Sequence, residues 1–194
     1  VRIDWSRPGV EWSRYRCAVF RTTWDYFDRF AEFSSWLGRV AGQTALCNPA
    51  GLVRWNVDKH YLADLAERGV PVVESRFIER GDTVKLSEVL AETGWTDAVV
   101  KPCVSGAARH TYRVSQANVA ALDPVIEGLL VNESLMLQPF QRDISVNGED
   151  SLMVFNGSFT HAVRKTPKAG DFRVQDDHGG TVRAHVPASE QIEL

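Results

Sequence analysis

Four basic side chains stand where they could act on a phosphate-sized anion: Lys59, Lys101, Lys165 and Arg173. Lys101 follows an apolar run, residues 98–100, that reads as a buried strand. Pro102, with no N–H and a fixed φ, ends that strand and holds the lysine at its mouth. Ser105, Gly106, Ala107 and Ala108 then offer small residues whose backbone N–H groups can close over phosphate oxygens as a nest. Lys165 closes a hairpin strand, and Arg173 and Gln175 lie in a loop, 168–180, bordered by Gly170, Gly179 and Gly180. Cations around developing negative charge are what phosphoryl transfer needs. A strand lysine before a plain hairpin loop, and a flexible loop with one arginine, have the same composition; the combination in one chain favours phosphate chemistry.

Motif order sets two nucleotide folds aside. In protein kinases a glycine-rich loop precedes the strand lysine and HRD and DFG motifs follow; here the lysine comes first and neither motif occurs. GxxxxGK[ST] and GxGxxG are absent. The chain has 194 residues, 44% of them hydrophobic, enough for one large core or two small lobes. With 22 basic against 25 acidic residues the net charge is −3, which argues against a nucleic-acid partner. Cys17, Cys47 and Cys103 are widely spaced and form no CxxC, arguing against a disulfide framework or a zinc site, and a reducing cytoplasm fits them. No apolar run reaches about 18 residues, so no membrane partner is expected. Because residue 1 is Val and the last residues read as a helix start with Ser189 as N-cap, the chain reads as a piece cut at both ends.

The positioning elements follow from periodicity and turn residues. A strand at 17–20 runs into Arg21, Thr22, Thr23, Trp24, Asp25 and Tyr26. Ligands bind at the carboxyl ends of strands in open α/β sheets, which makes Arg21 and Thr23 substrate candidates; an aromatic turn capping a core is the equal alternative. Phe30, Phe33, Trp36, Leu37 and Val40 predict a helix over 27–40, and a strand at 45–47 follows, closed by Asn48 and Pro49. Asn56 or Asp58 caps a helix carrying Tyr61, Leu62 and Leu65 to Gly69, with Lys59 in its first turn. Strands at 70–73 and 76–78, a helix at 86–93, a returning strand at 110–114 and a helix at 115–131 interrupted or kinked near Asp123 and Pro124 come next. The strand 135–140, LMLQPF, is either plain core or a hinge that reads a purine edge. A hairpin, 150–155 and 158–164 about Asn156 and Gly157, and a strand at 181–186 complete the chain.

Five segments carry a family resemblance: WNVDKHYLADL (55–65), VVKPCVSGAARHTYRV (99–114), LMLQPF (135–140), GEDSLMVFNG (148–157) and RKTPKAGDFRVQDDHGG (164–180). Together they resemble the ATP-grasp superfamily, in its glutathione synthetase-like branch of carboxylate-amine ligases. The opening, VRIDWSRPGVEW and RTTWDYF, is similar to the branch of O-ureido-D-serine cyclo-ligases. The resemblance implies an α/β fold of α+β lobes: two ATP-grasp lobes clasping ATP, preceded by part of a Rossmann-like N-terminal domain. On that basis 1–55 is the remainder of the N-terminal domain, 56–136 the lobe with the lysine strand and lid loop, and 137–194 the start of the second lobe.

The same resemblance implies an ATP- and Mg2+-dependent ligase of a small amino-acid-like substrate, working through an acyl phosphate; a non-catalytic nucleotide sensor is the alternative. Lys59 and Lys101 would contact phosphates, Ser105, Gly106 and Ala107 form the lid, Gln138 and Phe140 line adenine, and Glu149 sit near the ribose. Lys165 and Arg173 would hold the γ-phosphate and the acyl phosphate, with Gln175 beside them. Ser151 stands where glutathione synthetase has Arg, so that enzyme's substrates do not carry over. The metal-binding acidic residues and Asn of the family fall on a later strand, so no metal ligand is assigned and residues 1–194 alone are expected to be inactive.

Overall fold

In the computed structural model, which describes residues 1–193, the N-terminal apolar runs form a parallel strand pair, β1 (Cys17–Val19) and β2 (Ala45–Cys47), joined through the helix α1 (Phe30–Val40). Parallel pairing needs such a crossover. Phe33, Trp36, Leu37 and Val40 recur at i, i+3, i+4 and i+7 and are all buried, packing with Trp5 and Leu46. The strand β2 stops before Asn48 and Pro49 as the sequence suggests, and Pro49 is also the N-cap of α2 (Ala50–Asn56), a helix not anticipated. The next helix, α3 (Tyr61–Glu67), is capped by His60, so Lys59 precedes it and does not lie in its first turn.

The chain divides into two compact units, Val1–Pro139 and a second from Phe140 onward. In the first, β3 (Arg76–Ile78), α4 (Leu86–Thr93), β4 (Asp97–Pro102), β5 (Tyr112–Ser115), α5 (Val119–Leu130) and β6 (Leu135–Pro139) build an antiparallel sheet in the order β3-β6-β4-β5. Leu86, Val89 and Leu90 of α4 and Val119, Ile126 and Leu130 of α5 pack against Ile78, Ala98, Val100, Val114, Leu135 and Leu137. α4 ends at Gly94, whose φ of +70° suits glycine.

Several expectations yield to that packing. α5 runs through Pro124 without a break; residues buried on both sides of the proline anchor the helix against a penalty of about 3 kcal/mol. Residues 70–73 form no strand: Gly69 and Val70 donate their N–H groups back to Ala66 and Leu65, and Pro71 has none to donate. β5 starts at Tyr112, because His110 has a left-handed φ of +48°. Lys101 lies inside β4, paired with Met136, and not just beyond the strand.

The second unit holds α6 (Asp143–Asn147), a three-stranded antiparallel sheet of β7 (Glu149–Phe155), β8 (Ser158–Thr166) and β9 (Thr181–His185), and the short helix α7 (Ser189–Ile192). Asn156 and Gly157, at φ +50° and +77°, turn the hairpin between β7 and β8. Ala188, not Ser189, caps α7; its N–H donates to Gln191 Oε1 at 2.8 Å. Between β8 and β9 the chain makes a loop closed so tightly that a Cβ at Gly180 would overlap the Val174 carbonyl.

Candidate functional site

Strand alternation decides which side chains of the first unit share a face. Ala98 and Val100 of β4 and Leu135 and Leu137 of β6 face the helices. The opposite face therefore carries Lys101 and Met136 as one cross-strand pair and Val99 and Gln138 as the next. Phe77 of β3, opposite Met136, joins them. Gln138 is only 9% exposed and its Nε2 donates to Ser75 Oγ at 2.8 Å, which binds the segment before β3 to the sheet.

Lys59 meets the Pro102 end of β4. Its Nζ donates to the backbone oxygens of Pro102 at 3.0 Å, Cys103 at 3.2 Å and Ser105 at 3.2 Å, and its own N–H donates to Cys103 O at 3.0 Å. Burial first, and the neighbouring Lys101 second, push its ammonium down to about 8. All three Nζ protons have protein acceptors, so Lys59 braces the start of the loop.

The loop itself is docked on residues 26–28. Tyr26 Oη donates to Ser105 O at 3.5 Å, and a Cβ at Gly106 would come within 2.7 Å of the Phe27 ring. Ala107 and Ala108 both adopt left-handed φ, +51° and +56°, a conformation that turns successive N–H groups toward one side. Arg109 ends it with a two-pronged bond to Glu133, at 2.8 and 3.2 Å, and an ion pair to Asp28 at 3.4 Å.

Arg21 and Thr23 line a cavity of about 810 Å³ beyond β1, together with Cys17, Phe20, Asp25 and Trp36. Trp5 Nε1 donates to Asp25 Oδ1 at 2.8 Å across it. Polar groups at a strand's carboxyl end thus border a concave space of small-molecule size.

In the second unit, the pairing of β7 with β8 sets Glu149 opposite Lys165, and their side chains form an ion pair at 3.2 Å. Arg173 is clasped by Asp171, with Nε to Oδ1 at 3.0 Å and Nη2 to Oδ2 at 2.7 Å. That side chain, then the N–H groups of Arg173 and Phe172, hold the Asp171 carboxyl well below the usual range. Phe172 packs edge-on against Phe140 at 5.7 Å. Gln175 Oε1 is buried and has no hydrogen-bond partner among the described residues.

One cluster went unread in the sequence. Asp58, His60 and Cys103 each bring a potential ligand atom within 4.8 Å of the others. A D-x-H triplet and a cysteine 43 residues after the histidine carry no recognisable spacing signal.

The first 48 residues match the family model described as D-cycloserine synthetase DcsG, N-terminal domain. Cycloserine biosynthesis protein DcsG of Streptomyces lavendulae is 34% identical over 166 residues, which cover 84% of this chain and 56% of the relative. The crystal structure of D-cycloserine synthetase DcsG superposes with a TM-score of 0.88 at 31% identity, over 98% of this chain and 66% of that one. The ATP-grasp ligase PsnB, complexed with a phosphomimetic precursor variant, Mg and ADP, shares the fold at a TM-score of 0.55 and 23% identity, over 89% and 51% of the two chains. The chain has the ATP-grasp fold. It spans between half and two thirds of the length of the DcsG relatives it matches. Among the described residues no helix is long and apolar enough to cross a membrane.

Proposed function

We propose that this chain is the nucleotide-handling part of an ATP- and Mg2+-dependent carboxylate-amine ligase that acts on a small amino-acid-like molecule through an acyl phosphate. The observation that carries the reading is the likeness to D-cycloserine synthetase across 98% of the chain. The product in that relative's name points to ring closure, with carboxylate and nitrogen nucleophile in one molecule.

The residues have chemistry suited to the roles. Lys101, on the sheet face away from α4 and α5 with Gln138, meets a phosphate oxygen, while Gln138 and Phe140 line the adenine and Glu149 approaches the ribose. Ser105, Gly106 and Ala107 direct backbone N–H groups at phosphate and exclude water from the acyl phosphate, which would otherwise hydrolyse. Lys59 acts mainly by bracing that turn. Lys165 and Arg173 stabilise charge on the transferred phosphoryl group. Arg21 and Thr23 in the cavity, and the buried acceptor of Gln175, bind the substrate's polar groups.

Magnesium would screen phosphate charge during transfer. Among the described residues of the second unit, Glu149 and Asp171 are already paired with Lys165 and Arg173, and no set of three ligand groups occurs there; these residues do not make a magnesium site.

Phosphate release from ATP by the full-length protein, screened with a panel of small amino acids and amine-bearing acids, tests the reading. Release that depends on one acid supports a ligase. ATP binding without release across the panel would leave a nucleotide-binding module instead.

A further inference from the structure

His60 is held in one orientation by four neighbours. Its ring stacks on Phe77 with centroids 4.4 Å apart. Nδ1 lies 2.5 Å from Asp58 Oδ1, and the same oxygen accepts the His60 N–H at 3.1 Å. Nε2 faces Glu79 Oε1 at 3.1 Å and Cys103 Sγ at 4.0 Å. Glu79 is fixed in turn, because Ser134 Oγ donates to its Oε2 at 2.8 Å. Cys103 is 1% exposed, and its N–H donates to Ser134 O at 2.9 Å.

We propose that Cys103 Sγ, His60 Nε2 and Glu79 Oε1 form a site for a thiophilic divalent cation of the Zn2+ type, with Asp58 orienting the imidazole. Zinc takes thiolate sulfur at about 2.3 Å and imidazole nitrogen or carboxylate oxygen at about 2.0–2.2 Å, so neighbouring ligand atoms of a tetrahedral site lie roughly 3–4 Å apart. The two separations from Nε2 match that spacing; Glu79 lies outside the set of groups mutually within 4.8 Å and would turn its carboxylate toward Cys103 on binding. A carboxylate on the far nitrogen of a metal-bound histidine is the usual second partner, fixing the tautomer that leaves Nε2 free to bind. Three protein ligands leave a fourth position for water.

Binding replaces protons. The cation takes the Cys103 thiolate and the Nε2 lone pair, and the thiol proton, with the Nε2 proton where His60 is charged, passes to solvent. Burial, reinforced by Asp58, pushes the thiol up to about 12. The ligands come from the segment before α3, the residue after β3 and the residue after β4. An occupied site would therefore pin the start of the loop that Lys59 also braces. This inference does not depend on the proposed ligase activity.

The test is titration of the full chain with Co2+ as a spectroscopic probe, then displacement by Zn2+ in competition with a chromophoric chelator. One Co2+ per chain with a thiolate charge-transfer band in the near ultraviolet is expected. Cys103→Ser should abolish the band, and Asp58→Asn should weaken Zn2+ binding about 10–100-fold while keeping it. Glu79→Gln, at an exposed position, tests the site without disturbing the core and should weaken binding at least tenfold. Melting curves establish that each variant is folded. Absence of the band in the folded native chain, its survival in Cys103→Ser through the exposed Cys17 or Cys47, or unchanged affinity in Glu79→Gln would overturn the proposal.

Discussion

Lys59 Nζ donates to the backbone oxygen of Ser105, 46 residues away, at 3.2 Å, and to two further carbonyls of the same segment. A buried ammonium is costly unless its protons are used, and here three backbone oxygens accept them. Lys59→Met should remove the side-chain donor from all three oxygens, leaving Cys103 O with the backbone N–H of residue 59 and Ser105 O with Tyr26 Oη, and destabilise the first unit by about 1–3 kcal/mol. Hydrogen exchange should quicken mainly over residues 103–109. Unchanged melting and unchanged exchange there would show the three bonds to be net neutral.

Lys101 behaves differently because its side chain leaves the sheet on the face away from α4 and α5. Lys101→Ala should keep the fold and weaken ATP binding by about 1.5–3 kcal/mol, the worth of one charge-assisted phosphate contact. Calorimetry on a folded variant with native ATP affinity would remove Lys101 from the nucleotide site.

Arg173 presents a planar guanidinium already aligned by Asp171. Such a group stabilises spread phosphoryl charge better in the transition state than in the ground state. In an assay that shows acid-dependent turnover, Arg173→Lys should lower kcat more than it raises the Kd for ATP. Equal losses in both would assign the residue to binding alone.

The Asp171–Arg173 pair also sets a pH dependence. The folded carboxyl is held below its unfolded value of about 3.9, so the pair's contribution is complete above that value. It is lost as pH falls through the lower folded one. Partial exposure keeps it modest. A carbon NMR titration should find Asp171 still ionised at pH values where exposed aspartates are half protonated, and Asp171→Asn should flatten the acid side of the melting profile. An ordinary midpoint for Asp171 would mean that the pair is open in solution.

Near-neighbour chemistry was legible in the sequence. The helix over residues 86–93, the Asn156–Gly157 hairpin and the buried stripe Phe33, Trp36, Leu37 and Val40 all depend on spacing and turn residues within a few positions. What the tertiary structure decided were relations between distant segments. Packing of Val119, Ile126 and Leu130 carries α5 through Pro124, and Lys59 closes on carbonyls more than 40 residues onward. The meeting of Asp58, His60, Glu79 and Cys103 belongs to the same class. Each depends on which strands become neighbours, and that is set by burial of apolar faces over the whole sheet, a property no short window of sequence contains.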